Sequence, residues 1–132
     1  MGLLVDEEGG RDTIDTAVLA SLGKDGGDGA EGLLASLIDL FIQNTPQVLD
    51  EARAALAGNS PPLLAGAAHK LKGSCANFGA ERMREACLAL EELANAGSLE
   101  GAAQLLGRVQ EEFDDVRVAL GRERAALVGG RG

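Results

Sequence analysis

Apolar residues recur every three or four positions along most of this chain, which is the spacing of an amphipathic α-helix. One long stretch of this kind runs from Ala30 to about Ala57. Its apolar stripe consists of Leu34, Ile38, Phe41, Val48, Leu49, Ala52 and Leu56. No segment shows the sustained period-2 alternation of a half-buried strand, and no hairpin signal flanked by strands is present. The chain is therefore predicted to be all-α, with each stripe buried against other helices.

Glycines and prolines divide this pattern into four long helices. Pro61 suits the first position of a helix, and Gly79 and Gly97 suit the position just past a helix end. Pro46 should kink the first helix or mark a local irregularity. The predicted bounds are about 30–57, 61–78, 80–96 and 99–127.

A shorter helix is predicted before these four, from about residue 12 to residue 22, with Ile14 on its apolar stripe. The predicted architecture is an antiparallel four-helix bundle with this short additional N-terminal helix. The predicted organisation is a flexible tail over 1–11, one helical domain over 12–127 and a second tail over 128–132.

Charge and composition exclude several classes of function. The chain has 21 acidic and 12 basic residues, a net charge of −9, which argues against binding nucleic acid or anionic membranes. One histidine and two cysteines are too few for a metal or haem site. Cys75 and Cys87 are expected to be buried, reduced thiols. The N-terminus shows no signal peptide or membrane-spanning run, so a cytoplasmic location without membrane insertion is expected. The chain is also expected to be a monomer.

The single histidine, His69, is predicted to face away from the core. On a helical wheel the residues opposite it are Leu64, Ala67, Leu71, Cys75 and Phe78. The neighbours on its own side are Ala65, Gly66, Lys72, Gly73 and Ala76. A mid-helix glycine costs about 1 kcal/mol relative to alanine, so two of them beside one imidazole indicate that a partner approaches the ring closely.

The chemistry of this segment favours an anionic visitor. A neutral imidazole is a nitrogen nucleophile, and Lys72, one turn further on, can neutralise an incoming negative charge. Between His69 and Arg84 the basic residues outnumber the acidic ones by four to one. The alternative is a histidine on an ordinary solvated helix face.

The stretch AAHKLKGSCANFGAERMREACLALEELA, residues 67–94, resembles the signature of the histidine-containing phosphotransfer (HPt) domain family. The shared pattern is Ala-His-x-Leu-Lys-Gly-Ser, then a Phe-Gly-Ala turn, then a helix that closes with Leu-Glu. The resemblance extends over roughly residues 13–120. The aspartate usual in the turn before the histidine helix is absent, and Asn59 lies nearby.

The resemblance implies a phosphoryl carrier of a multistep His–Asp phosphorelay. His69 would accept phosphate from one response-regulator receiver domain, supplied by a hybrid histidine kinase, and pass it to another receiver. Lys72 would steady the phosphoryl charge, Gly73 would give the receiver access, and Glu91 would orient the imidazole unless it lies on a solvated face. No cofactor is expected on this chain, since Mg²⁺ would sit on the receiver, and no intrinsic kinase or phosphatase activity is expected.

Two other functions stay open. One is a P1-type phosphoacceptor domain of a chemotaxis-like kinase. The resemblance associates glutamate at the position of Glu91 with such P1 domains, and glutamine with several phosphorelay members. The other is a receiver-docking adaptor without transfer. The chain fits both a stand-alone carrier and a domain of a hybrid kinase. Partner docking is expected to use Gly66 and Ala76 and three apolar positions of the first long helix: Leu33, Leu37 and Leu40.

Overall fold

A computed structural model describes residues 13–15 and 30–129, and over these residues it contains four α-helices and no strand. They are α1 (Ala30–Ala57), α2 (Pro61–Ala76), α3 (Glu81–Asn95) and α4 (Ala102–Gly129). Consecutive helices pack together across short turns, and α1 also packs against α4. The helices therefore alternate in direction around a closed bundle, which confirms the predicted fold class.

The core runs along the bundle axis between the four apolar stripes. The ring of Phe41 packs against those of Phe78 and Phe113, with ring centroids 5.1 Å and 5.8 Å apart, and so joins α1 to the turn after α2 and to α4. Cys75 and Cys87 are buried free thiols, as predicted, and contact with Cys87 together with burial raises the pKa of Cys75. None of the described helices is long and apolar enough to cross a membrane.

The helix ends differ from the predicted ones by a few residues. Helix α2 ends at Ala76, α4 begins at Ala102 because Gly101 has a φ of +85°, and α4 continues to Gly129. Helix α1 runs through the exposed Pro46 as one element, as its predicted bounds require, and the kink expected there stays a prediction. Of the predicted short N-terminal helix, residues 13–15 are not helical, and the rest lies outside the described residues.

The turn between α2 and α3 is closed by the segment before α1. Gly79 has a φ of +60°, and the Asp15 amide donates to the Phe78 carbonyl at 3.2 Å. A Cβ atom added to Gly79 would lie 2.3 Å from the Cβ of Asp15. Ile14 is buried beside this contact. Glycine is therefore required here by both its backbone conformation and the close approach of another segment.

We expect Gly79→Ala to lower the free energy of unfolding by roughly 2 to 4 kcal/mol, because it combines a positive-φ penalty with an overlap against Asp15. Gly97→Ala is the matched control: Gly97 has a φ of +81°, but nothing lies within 4 Å of its added Cβ. Gly97→Ala should therefore lower the free energy of unfolding by only about 1 kcal/mol. Urea unfolding followed by circular dichroism measures both, and equal losses would show that packing against Asp15 contributes nothing.

Candidate functional site

His69 lies on the outer side of α2, and 68% of its side chain is exposed. The five residues predicted to lie opposite it are all buried. Gly66, Gly73 and Ala76 are exposed, as the wheel predicts, but Ala65 is buried. The reason is that α2 packs against both α1 and α3, so its buried face is wider than half of the wheel. The strip that presents His69 is correspondingly narrow.

One carboxylate joins His69 to Lys72. Glu91 Oε2 lies 2.9 Å from His69 Nδ1. The other oxygen, Oε1, is buried and lies 2.7 Å from Lys72 Nζ, as an ion pair and not an aligned hydrogen bond. The Glu91 side chain is only 14% exposed. Glu91 therefore does not lie on a freely solvated face, and three of the predicted site residues meet at one point.

Helical spacing and core packing produce this arrangement. His69 and Lys72 are three residues apart, so their side chains are neighbours on one side of α2. Glu91 directly follows Leu90, which is fully buried on α3. Because α2 and α3 pack together along their apolar faces, a residue at the edge of the α3 face reaches the neighbouring helix.

The environment of Glu91 determines which nitrogen of His69 can react. Contact with Lys72 lowers the pKa of Glu91, burial opposes this shift, and the hydrogen bond with His69 adds to it. An ionised carboxylate can only accept a hydrogen bond, so His69 Nδ1 donates. In the neutral ring the lone pair then lies on Nε2, which has no hydrogen-bond partner among the described residues. The geometry leaves one nucleophilic nitrogen facing outward.

The local excess of positive charge predicted near His69 is largely neutralised. Every one of the four basic residues pairs with a carboxylate: Lys70 with Glu51, Lys72 with Glu91, Arg82 with Glu112, and Arg84 with Glu81. Arg82 reaches towards α4 and also donates to Thr13, so it belongs to the helix packing and not to the His69 face. The sequence could not show this, because three of these partners lie on other helices.

Gly66 and Gly73 lie three residues before and four residues after His69. Nothing lies within 4 Å of a Cβ added to either. Gly107 on α4 is equally unconstrained, so an unexplained helical glycine is not by itself a sign of function. The distinguishing feature is that Gly66 and Gly73 clear the space on both sides of one imidazole.

Large apolar side chains are exposed on α1 and α2. Leu33 and Leu40 are 60% and 52% exposed, whereas Leu37 is half-buried and packs against the core. Leu37 and Leu40 line a hollow of about 180 Å³ between α1 and α2. The sequence analysis missed Leu63, which is 67% exposed, although the wheel places it outside the arc of buried residues.

The acidic, cysteine and histidine side chains of the described residues are not clustered as metal ligands. Within residues 13–15 and 30–129, no three His, Cys, Asp or Glu side chains are grouped so that they could hold a metal ion.

Comparisons with known proteins agree on one family. The sequence model of the Hpt domain matches residues 36–119. The crystal structure of histidine-containing phosphotransfer protein B from Pseudomonas aeruginosa PAO1 is similar, with a TM-score of 0.78 and 33% identity over 85% of this chain and 94% of that one. The maize protein ZmHP2 shares the fold, with a TM-score of 0.79 and 24% identity over 99% of this chain and 96% of that one.

Two relatives are similar in sequence over part of their length. Histidine-containing phosphotransfer protein 2 of Arabidopsis thaliana is 27% identical over 96 residues, which are 70% of this chain and 62% of that protein. Signal transduction histidine-protein kinase BarA of Shigella flexneri is 28% identical over 102 residues, which are 76% of this chain and 11% of the kinase. This chain therefore spans less than two thirds of the plant protein and a small part of the kinase.

The lowered pKa of Glu91 gives its contribution to stability a definite pH dependence. A carboxyl whose pKa is lower in the folded chain stabilises the fold above its unfolded pKa of about 4.3, and this contribution is lost as the pH falls through the folded value. Glu91→Gln should therefore unfold more easily than the wild type at pH 7, and the difference should shrink towards pH 3.

Urea unfolding at several pH values measures this effect. Glu92→Gln, on the exposed side of α3, is the matched control and should differ little from the wild type. If Glu91→Gln lowers the free energy of unfolding by the same amount at pH 3 and at pH 7, the ionised carboxylate has no stabilising role.

Proposed function

Because the chain belongs to the Hpt domain family, we propose that it carries a phosphoryl group on His69 between receiver-domain aspartates in a His–Asp phosphorelay. The observation that carries this proposal is the state of the imidazole. Glu91 Oε2 accepts a hydrogen bond from His69 Nδ1 at 2.9 Å, while Nε2 faces outward from a side chain that is 68% exposed. A partner can therefore reach the nucleophilic atom without any rearrangement of the bundle.

The transfer step follows from this geometry. The lone pair of His69 Nε2 attacks the phosphorus of an aspartyl phosphate in line, the N–P bond forms, and the P–O bond to the aspartate breaks. The electron pair of that bond returns to the aspartate as a carboxylate. The ring gains positive charge as the bond forms, and the Glu91 carboxylate on Nδ1–H stabilises this charge. Transfer to the next receiver reverses each step.

Lys72 and Gly73 serve the phosphoryl group and the partner. Lys72 is held by Glu91 one turn from His69, and its ammonium can turn on its flexible stem towards phosphate oxygens once they are present. Gly73 leaves room for the receiver's loops, because no side chain of this bundle occupies that space. Phosphoryl transfer depends mainly on positioning and charge neutralisation, and in this proposal the receiver brings the aspartate and Mg²⁺.

The proposed partners are response-regulator receiver domains, with a hybrid histidine kinase upstream. The names of the relatives support this, because they include phosphotransfer proteins and a signal transduction histidine kinase. Location in the cytoplasm and a monomeric state stay predictions, as do the domain bounds and the absence of a resident cofactor.

A second candidate function is the P1-type phosphoacceptor domain of a chemotaxis-like kinase. One observation favours it: the group on His69 Nδ1 is a carboxylate, which the resemblance associates with P1 domains. The two functions differ in the phosphate donor, since a P1 domain takes phosphate from a kinase domain with ATP. The third function considered, a receiver-docking adaptor without phosphoryl transfer, is disfavoured because His69, Lys72 and Gly73 are all present.

We expect radiolabelled phosphate to pass from a phosphorylated receiver domain to this chain and to be acid-labile and alkali-stable. His69→Gln should take up no label. Coupling between phosphorus and the ring protons in NMR should place the phosphate on Nε2. Label that persists in His69→Gln would overturn the proposal, label that arrives only from a kinase with ATP would favour the P1 function, and phosphate on Nδ1 would contradict the role given to Glu91.

The exposed leucines of α1 should contribute to docking of the receiver. Leu33→Asp combined with Leu40→Asp should slow transfer about tenfold or more without changing the melting temperature greatly, because both side chains are more than half exposed. Labelling of His69 by phosphoramidate, a small donor that needs no docking, is the control and should be unchanged. Loss of helix content would assign both leucines to the core, and an unchanged transfer rate would remove them from the docking surface.

A further inference from the structure

A second hollow lies between α1 and α2, on the other side of His69 from Leu40. Its volume is about 590 Å³. Small residues form much of its wall, including Ala54, Gly58, Gly66 and Ala67, and the exposed Leu63 also lines it. We call it the Leu63 hollow. The ion pair between Lys70 and Glu51, at 3.0 Å, lies at its boundary, so the charges nearest to it are paired.

The stability of the bundle does not explain the residues of this hollow. Leu63 is the third residue of α2, and its amide donates to the Ser60 side chain at 3.3 Å. A glutamate at this position would complete a capping box and favour the helix dipole, yet the first turn of α2 has no acidic residue. At Gly66 an added Cβ would meet nothing, and alanine would favour the helix.

The hollow is continuous with the strip that presents His69. Gly66 precedes His69 by three residues and Lys70 follows it directly, and both line the hollow. At 1.5 Å per residue, Leu63 lies about 9 Å from His69 along the helix axis. A protein domain that brings an aspartyl phosphate to Nε2 must cover this part of α2.

We propose that the Leu63 hollow receives an apolar side chain from the surface of the receiver domain that docks on His69, with Leu63 as an anchor of the contact. This inference rests on the proposed function. An apolar occupant fits because the lining is mostly uncharged and the nearest cation is already paired. The docking surface then extends to both sides of His69, with Leu33 and Leu40 towards one end of α2 and Leu63 towards the other.

The test measures the affinity of the wild type and of Leu63→Glu for a receiver domain that exchanges phosphate with the wild type. Leu63→Glu should fold normally, because it places a favourable carboxylate in the first turn of α2. We expect its dissociation constant to rise about tenfold or more, and that of Leu63→Ala to rise less. Val118→Glu is the matched control, since Val118 is an exposed apolar residue on α4, and its affinity should stay unchanged.

Labelling of His69 by phosphoramidate separates this inference from the proposed function. Leu63→Glu should be labelled as fast as the wild type. Suppose that Leu63→Glu binds the receiver as tightly as the wild type does and still exchanges phosphate with it through His69. That result would rule out the Leu63 hollow as a docking site and leave the proposed function intact. A wild-type dimer in sedimentation that Leu63→Glu abolishes, with receiver affinity unchanged, would instead assign the hollow to a second copy of this chain. Failure of every receiver to label wild-type His69 would overturn both.

Discussion

The contact of one carboxylate with two groups of α2 is the interaction on which the site depends. Glu91 lies at the edge of the α3 core face, and it reaches His69 Nδ1 and Lys72 Nζ only because α2 and α3 pack closely. A carboxylate that is 14% exposed would be unfavourable without a partner, and His69 and Lys72 together compensate its charge. The reactive nitrogen is thereby oriented by the hydrophobic core, although His69 itself is exposed.

This arrangement separates the part of the site that must be rigid from the part that must be open. The Nδ1 side of the imidazole faces the bundle and has a fixed partner, whereas the Nε2 side faces a strip cleared by Gly66 and Gly73. Alanine at either glycine would favour the helix, so the chain is less stable there than it could be. Such a loss is expected where a surface must admit a partner.

Periodicity predicted the four helices, the exposure of His69 and the glycine turns, because these depend on residues close together in the chain. The meeting of Lys72 with Glu91 could not be predicted in the same way, since it depends on the distance and rotation between two helices. The same limit applies to the pairing of Lys70 with Glu51 and to the approach of Asp15 to Gly79. The burial of Ala65 was missed because a wheel does not show how many neighbours a helix has.

The pairing of the cations has a consequence for how a partner is held. If Lys70 and Lys72 were unpaired, they would attract an acidic active site over a distance set by the ionic strength. Because both are already paired, and because the chain as a whole carries a charge of −9, long-range attraction contributes little. For the proposed receiver partner, short-range apolar contacts beside His69 would then supply most of the affinity. The exposed apolar side chains of this surface are few and separate. Contacts limited to them would favour the short-lived complex that the proposed relay needs, one that forms, transfers the phosphoryl group and dissociates.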